Sequence, residues 1–116
     1  MRYVLLIYAS EAAYSRMTQE ERIMLMQAHS AFANETQQRG LLTSGEALQP
    51  TRTAATIRVR NGKTLITDGP FAETKEQLAG FYILNCKDLD EAIETAAMVP
   101  DALSGSVEIR PVLEIM

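Results

Sequence analysis

Apolar and polar positions alternate along this chain with periods that change from segment to segment, and the changes mark out its elements. Arg2 to Tyr8 (RYVLLIY) is a nearly continuous apolar run, the pattern of a strand at the centre of a sheet. A polar loop, Ala9 to Met17, leads to a helix predicted over Thr18 to Arg39. Thr18 opens it with T-Q-E-E, a capping box in which Thr18 and Glu21 satisfy each other's free backbone N–H groups. Leu25, Ala28, His29 and Phe32 fall at i, i+3, i+4 and i+7 and give this helix one apolar stripe. Gly40 supplies the left-handed stop.

Leu41 to Leu48 reads as a strand in which Gly45 marks a bulge or a close backbone approach, and Pro50 ends the pattern. TAATIRVR and KTLIT then flank Asn61-Gly62, a two-residue type I′ hairpin turn. Pairing Arg60 with Lys63 sets Val59 opposite Thr64 and Ile57 opposite Ile66, with Arg58, Arg60, Lys63 and Leu65 on the other face. This predicts one buried and one mostly wet face. Pro70 suits the first position of a short helical turn over Phe71 to Gln77. Gly80 to Cys86 is an aromatic, β-branched strand, and Asp88 starts a second helix with the stripe Leu89, Ala92, Ile93, Ala96, closed by Pro100. Val107 to Ile115 is a last strand, with Pro111 at an edge or bulge.

The order strand, helix, strands, helix, strand predicts a single α+β domain over 1–116. Its ferredoxin-like antiparallel sheet carries two main helices on one face, extended by a hairpin. An apolar opposite face would need covering, and a second copy of the chain covers it economically, so a homodimer is expected.

Composition narrows the function. A net charge of −4 and the lack of a basic stripe argue against nucleic-acid binding. The N-terminal apolar run is too short for a membrane span and lacks a signal peptide's layout, and the single Cys86 suits a reducing cytosol, so the expected location is cytoplasmic. One Cys and one His do not make a zinc site, and no cofactor motif is present: neither a P-loop, nor a dinucleotide fingerprint, nor a nucleophile elbow.

The segment TDGPFAETKEQLAGFYIL, Thr67 to Leu84, resembles the signature of the DGPF-motif branch of the YCII-related proteins. The likeness extends to MRYVLLIY, to the segment from Gly40 to Glu46, to the strand from Thr56 to Arg60 and to SVEIRPV. It implies a dimeric α+β barrel. Broader members carry a histidine on the first helix and an aspartate in an Asp-Pro pair after the second, proposed as an acid–base dyad. One such relative is a dehydrochlorinase of chlorinated hydroxyquinols. Here His29 stands eleven residues before Gly40, as the family histidine does before its glycine. The Asp-Pro pair corresponds to Val99-Pro100, which removes the aspartate and leaves Asp68 as the carboxylate candidate.

Each candidate has two readings. His29 is either a core histidine with one satisfied ring nitrogen or a general base whose ring a carboxylate orients. Asp68 either caps its own turn or holds a catalytic carboxylate still. Glu46 and Lys75 are either solvated or substrate contacts, and Tyr82 is either core or a ligand wall with a hydroxyl that needs a partner. Two functions follow. One is a lyase or isomerase for a small molecule, with His29 as base and Asp68 as its partner or acid, and Glu46, Lys75 and Tyr82 as secondary contacts. The other is a non-catalytic binding or regulatory module, which the resemblance links to sigma factors of the extracytoplasmic-function class.

Overall fold

The computed structural model describes residues 1–115. Three helices and six strands follow in the order β1 (Arg2–Ala9), α1 (Glu11–Ser15), α2 (Gln19–Gln38), β2 (Leu42–Ala47), β3 (Ala55–Arg60), β4 (Lys63–Asp68), β5 (Gln77–Asn85), α3 (Leu89–Ala96) and β6 (Ser106–Pro111). Short 3₁₀ turns lie at Thr51–Thr53 and Pro100–Ala102. The main sheet has the order β2-β5-β1-β6 with every pair antiparallel. That is the ferredoxin-like arrangement, and β3-β4 is a separate two-stranded sheet inserted between β2 and β5.

The helix caps form where the sequence places them. Thr18 Oγ1 accepts from Glu21 N at 3.1 Å while Glu21 Oε1 accepts from Thr18 N at 2.9 Å. Asp88 caps α3 by accepting from Glu91 N at 2.9 Å. The alternation of β1 turns Tyr3, Leu5 and Ile7 to one side, where they pack with Leu84 of β5, Phe32 of α2 and Ala92 of α3. Fully burying leucines such as Leu5 and Leu84 stabilises the fold by roughly 1.5–3 kcal/mol each. On the opposite side Val4 and Leu6 of β1 lie across from Ile83 and Phe81 of β5, all half-buried and with no helix over them.

Four expectations need correction. The loop after β1 contains the helix α1, which Ser10 caps by accepting from Ala13 N at 3.0 Å. Phe71 to Gln77 forms bends instead of a helical turn, and Gln77 already belongs to β5. The last strand stops at Pro111, short of Ile115. The hairpin has the expected register, with Asn61 and Gly62 at φ of 52° and 73°, but buries neither face. Ile57, Val59 and Ile66 are 55%, 59% and 68% exposed, so the apolar side chains of this small sheet stay open to solvent within one chain. Among the described residues, no helix is long and apolar enough to cross a membrane.

Candidate active site

β1 and β5 pair so that Tyr82 stands directly opposite Leu5, and the two share the face covered by the helices. α2 crosses above them. His29 and Phe32 are one turn apart on that helix, so both reach the same spot on the sheet. His29 Nδ1 lies 2.9 Å from the Tyr82 hydroxyl, and the Phe32 ring sits 4.8 Å from the Tyr82 ring centroid to centroid, tilted by 49°. On the other side Tyr82 rests against the backbone of β2. A Cβ at Gly45 would come within 2.5 Å of Tyr82 Cδ1 and 2.9 Å of the Phe81 carbonyl oxygen, so a glycine is required for the ring to lie there. The close approach expected at Gly45 is real, and its purpose is to seat Tyr82.

The second ring nitrogen of His29 meets a carboxylate from the far end of the chain. Asp101 Oδ1 is 2.5 Å from His29 Nε2. Asp101 is delivered by the 3₁₀ turn after α3, which Pro100 starts and whose backbone closes on itself through Gly105 N donating to Asp101 O at 2.7 Å. Gly105 lets this turn press on the end of β1, since a Cβ there would meet the Tyr8 carbonyl oxygen. The Asp101 side chain is only 10% exposed and that of His29 27%. A carboxylate so placed needs a donor, and the imidazole is the one it has.

The expectation that Asp68 partners His29 is therefore replaced. The reading that Val99 removed the family aspartate is also corrected for this chain: the carboxylate stands one residue after Pro100 instead of one before it. Val99 itself is a core residue. The sequence did carry a signal, the Pro100-Asp101 pair, but with the order reversed.

Asp68 ends β4 on the hairpin sheet, exposed and paired in register with Ala55. Its carboxylate makes no hydrogen bond among the described residues. The turn that follows ties the hairpin's base together: Gly69 N donates to Ala54 O at 2.7 Å and Thr56 Oγ1 donates to Gly69 O at 3.0 Å. Gly69 has φ of +106°, a region open to glycine and strained for other residues. Gly69 and Pro70 line a smaller cavity with Thr51, Glu73 and Gln77. Lys75 is exposed, whereas Glu46 and Tyr82 both border a larger cavity.

His29, Tyr82 and Asp101 lie in the wall of an open cavity of about 1050 Å³. Ile7, Leu25, Ala47 and Ala79 contribute apolar wall, and α1 with Ser10 forms one border. That border is held by polar ties at both ends. Glu11 accepts from Thr51 N at 2.8 Å and from Thr51 Oγ1 at 2.7 Å. Arg22 stacks 4.6 Å over the Tyr14 ring and donates to the carbonyls of Tyr14 and Ser15. Burial raises the Tyr82 phenol above its ordinary value, and the negative charge of Asp101 adds to the effect. Cys86 is buried in the core, and burial also raises its thiol, so it packs as a small hydrophobe.

A ferredoxin-like α+β chain that holds a histidine between a buried carboxylate and a phenol has a clear relationship. Residues 1–116 match the YCII-related domain, and the protein belongs to that family. It is 42% identical over 113 residues to the uncharacterized protein R00369 of Rhizobium meliloti (strain 1021), covering 96% of this chain and 91% of that relative.

Proposed function

We propose that this YCII-related protein is a small-molecule enzyme of the lyase or isomerase type that works by proton transfer, with His29 as the central acid–base group. One observation carries the reading: the only histidine of the chain is held between Asp101 and Tyr82 in the wall of a large, mostly apolar cavity. Asp101 orients the ring and stabilises the imidazolium that forms when a proton arrives. An apolar wall with a few convergent polar groups suits a ring-sized organic ligand with one ionisable hydrogen. Glu46 borders the cavity but is exposed and pairs in register with Phe81 on the other face of the sheet, and Lys75 and Asp68 are exposed as well, so the reading rests on His29, Asp101 and Tyr82.

The DGPF assignment and a homodimer belong to the same reading. The half-buried outer face of the main sheet and the exposed apolar residues of the hairpin support a second copy as their cover.

The test is turnover of a panel of cyclic ketones, read as exchange of the carbon-bound hydrogens beside the carbonyl with deuterated solvent. Wild type is expected to exchange at least one class, and His29→Ala and Asp101→Asn to lose the activity by roughly 10²–10⁴-fold while folded. Equal rates in wild type and His29→Ala would remove the enzyme reading and leave a binding module.

A further inference from the structure

Both ring nitrogens of His29 are engaged within the protein, so neither is free to meet a substrate. We infer that the atom which exchanges protons with the ligand is the phenolic oxygen of Tyr82, the outer end of a relay Asp101–His29–Tyr82. This rests on the acid–base reading above and changes which group performs its first step.

The chain of contacts fixes the direction of each hydrogen bond. An ionised Asp101 can only accept, so His29 Nε2 carries the proton that faces it. In the neutral ring Nδ1 is then the acceptor, and the Tyr82 O–H donates to it across 2.9 Å. That leaves the lone pairs of Tyr82 Oη as the site for an incoming proton, and Tyr82 lines the cavity. The step balances with no outside reagent. A weakly acidic O–H or C–H of the ligand gives its proton to Tyr82 Oη as the phenolic proton moves to His29 Nδ1. The products are a ligand anion, an intact phenol that now donates to that anion, and an imidazolium beside the Asp101 carboxylate. Reversal delivers a proton to a different ligand atom. No phenolate is ever required, which fits a tyrosine whose buried position disfavours ionisation.

The surroundings are built for a fixed phenol. Phe32 holds one side of the ring, and β2 touches the other only because position 45 is a glycine. A tyrosine that served only as core filling would not need its hydroxyl aimed at the one histidine of the chain.

Two measurements test the relay. With a single histidine, a long-range ¹H–¹⁵N spectrum of tag-free protein at neutral pH reports one imidazole. The expected result is a protonated Nε2 and an unprotonated, hydrogen-bonded Nδ1, whose signal moves to that of an unbonded acceptor in folded Tyr82→Phe. A proton on Nδ1, or a signal unmoved in Tyr82→Phe, overturns the relay. The second uses 4-nitrophenol, whose phenolate absorbs visible light. At a pH low enough to keep the free compound protonated, wild type should bind it as the phenolate, and Tyr82→Phe and His29→Gln should each lose most of that absorption. Full absorption in Tyr82→Phe with loss in His29→Gln refutes the relay but keeps His29 as the base. Full absorption in both, or no phenolate on wild type, refutes the relay, and the first of these also removes His29 from the chemistry.

Discussion

His29 Nε2 and Asp101 Oδ1 lie 2.5 Å apart although 72 positions separate them in the chain. The contact is made by two elements on opposite sides of the sheet's connectivity: α2 follows β1, while the 3₁₀ turn bearing Asp101 leads into β6, which pairs with β1 on its other edge. β1 is therefore the common ruler that sets the distance. Several outcomes depend on this arrangement.

Asp101→Ala should destabilise the protein by about 1–3 kcal/mol, because a part-buried imidazole N–H loses its acceptor. Asp101→Asn keeps an oxygen and should cost less. Urea midpoints of the two variants check the order. If alanine is no worse than asparagine, the pair is not an important stabilising contact.

Gly45→Ala forces either the Tyr82 ring or the Phe81 carbonyl to move, at roughly 1–3 kcal/mol. The Nδ1 signal of His29 should shift with it, since the Tyr82 hydroxyl leaves its place. Unchanged stability together with an unchanged signal would mean that β2 does not hold the tyrosine.

Tyr82 links stability to alkaline pH. Its folded-state value is raised above 10.0, so the folded protein holds the phenolic proton more tightly than the unfolded chain does. Its contribution is fully present below pH 10.0 and is lost as pH rises through the folded value. Denaturant unfolding followed across that range should show a steeper decline for wild type than for Tyr82→Phe. Parallel curves would contradict a buried, hard-to-ionise phenol. Tyr8 and Cys86, also raised, are present in both proteins and cancel in the comparison.

Ile66→Lys tests the proposed homodimer. Ile66 is 68% exposed, so the substitution should change the stability of the chain itself by no more than about 0.5 kcal/mol. Sedimentation should shift from twice the 12.9 kDa chain mass toward one copy. A wild-type protein that sediments as one copy, or a variant that stays paired, would show that the hairpin face is not the contact.

Local chemistry made much of this molecule readable in advance. The continuous apolar run of Arg2 to Tyr8 became the central strand β1, paired on both edges, with the alternate side chains Tyr3, Leu5 and Ile7 buried in the core. Thr18 with Glu21, and Asp88 with Glu91, started helices where they stand, since a cap is a contact over three residues and needs no tertiary help. Asn61-Gly62 fixed the hairpin and its register for the same reason. His29 was identifiable as the single imidazole on an otherwise apolar stripe.

Other features answered to the fold. The five-residue α1 lacks the length for a periodic pattern and has no buried residue, so nothing in the sequence distinguished it from a loop. The segment after Pro70 had good helix-start chemistry, yet it is drawn into the approach to β5, where Gln77 pairs with Ala9. The partner of His29 was the least legible part. Proximity of side chains 72 residues apart depends on strand order and on two close backbone approaches, at Gly45 and Gly105, that seat Tyr82 and Asp101. The sequence by itself determined most of the elements and the single imidazole of the chain. Only the tertiary structure decided that its neighbours are Asp101 and Tyr82, because long-range contacts are set by how sheet and helices stack and not by spacing along the chain.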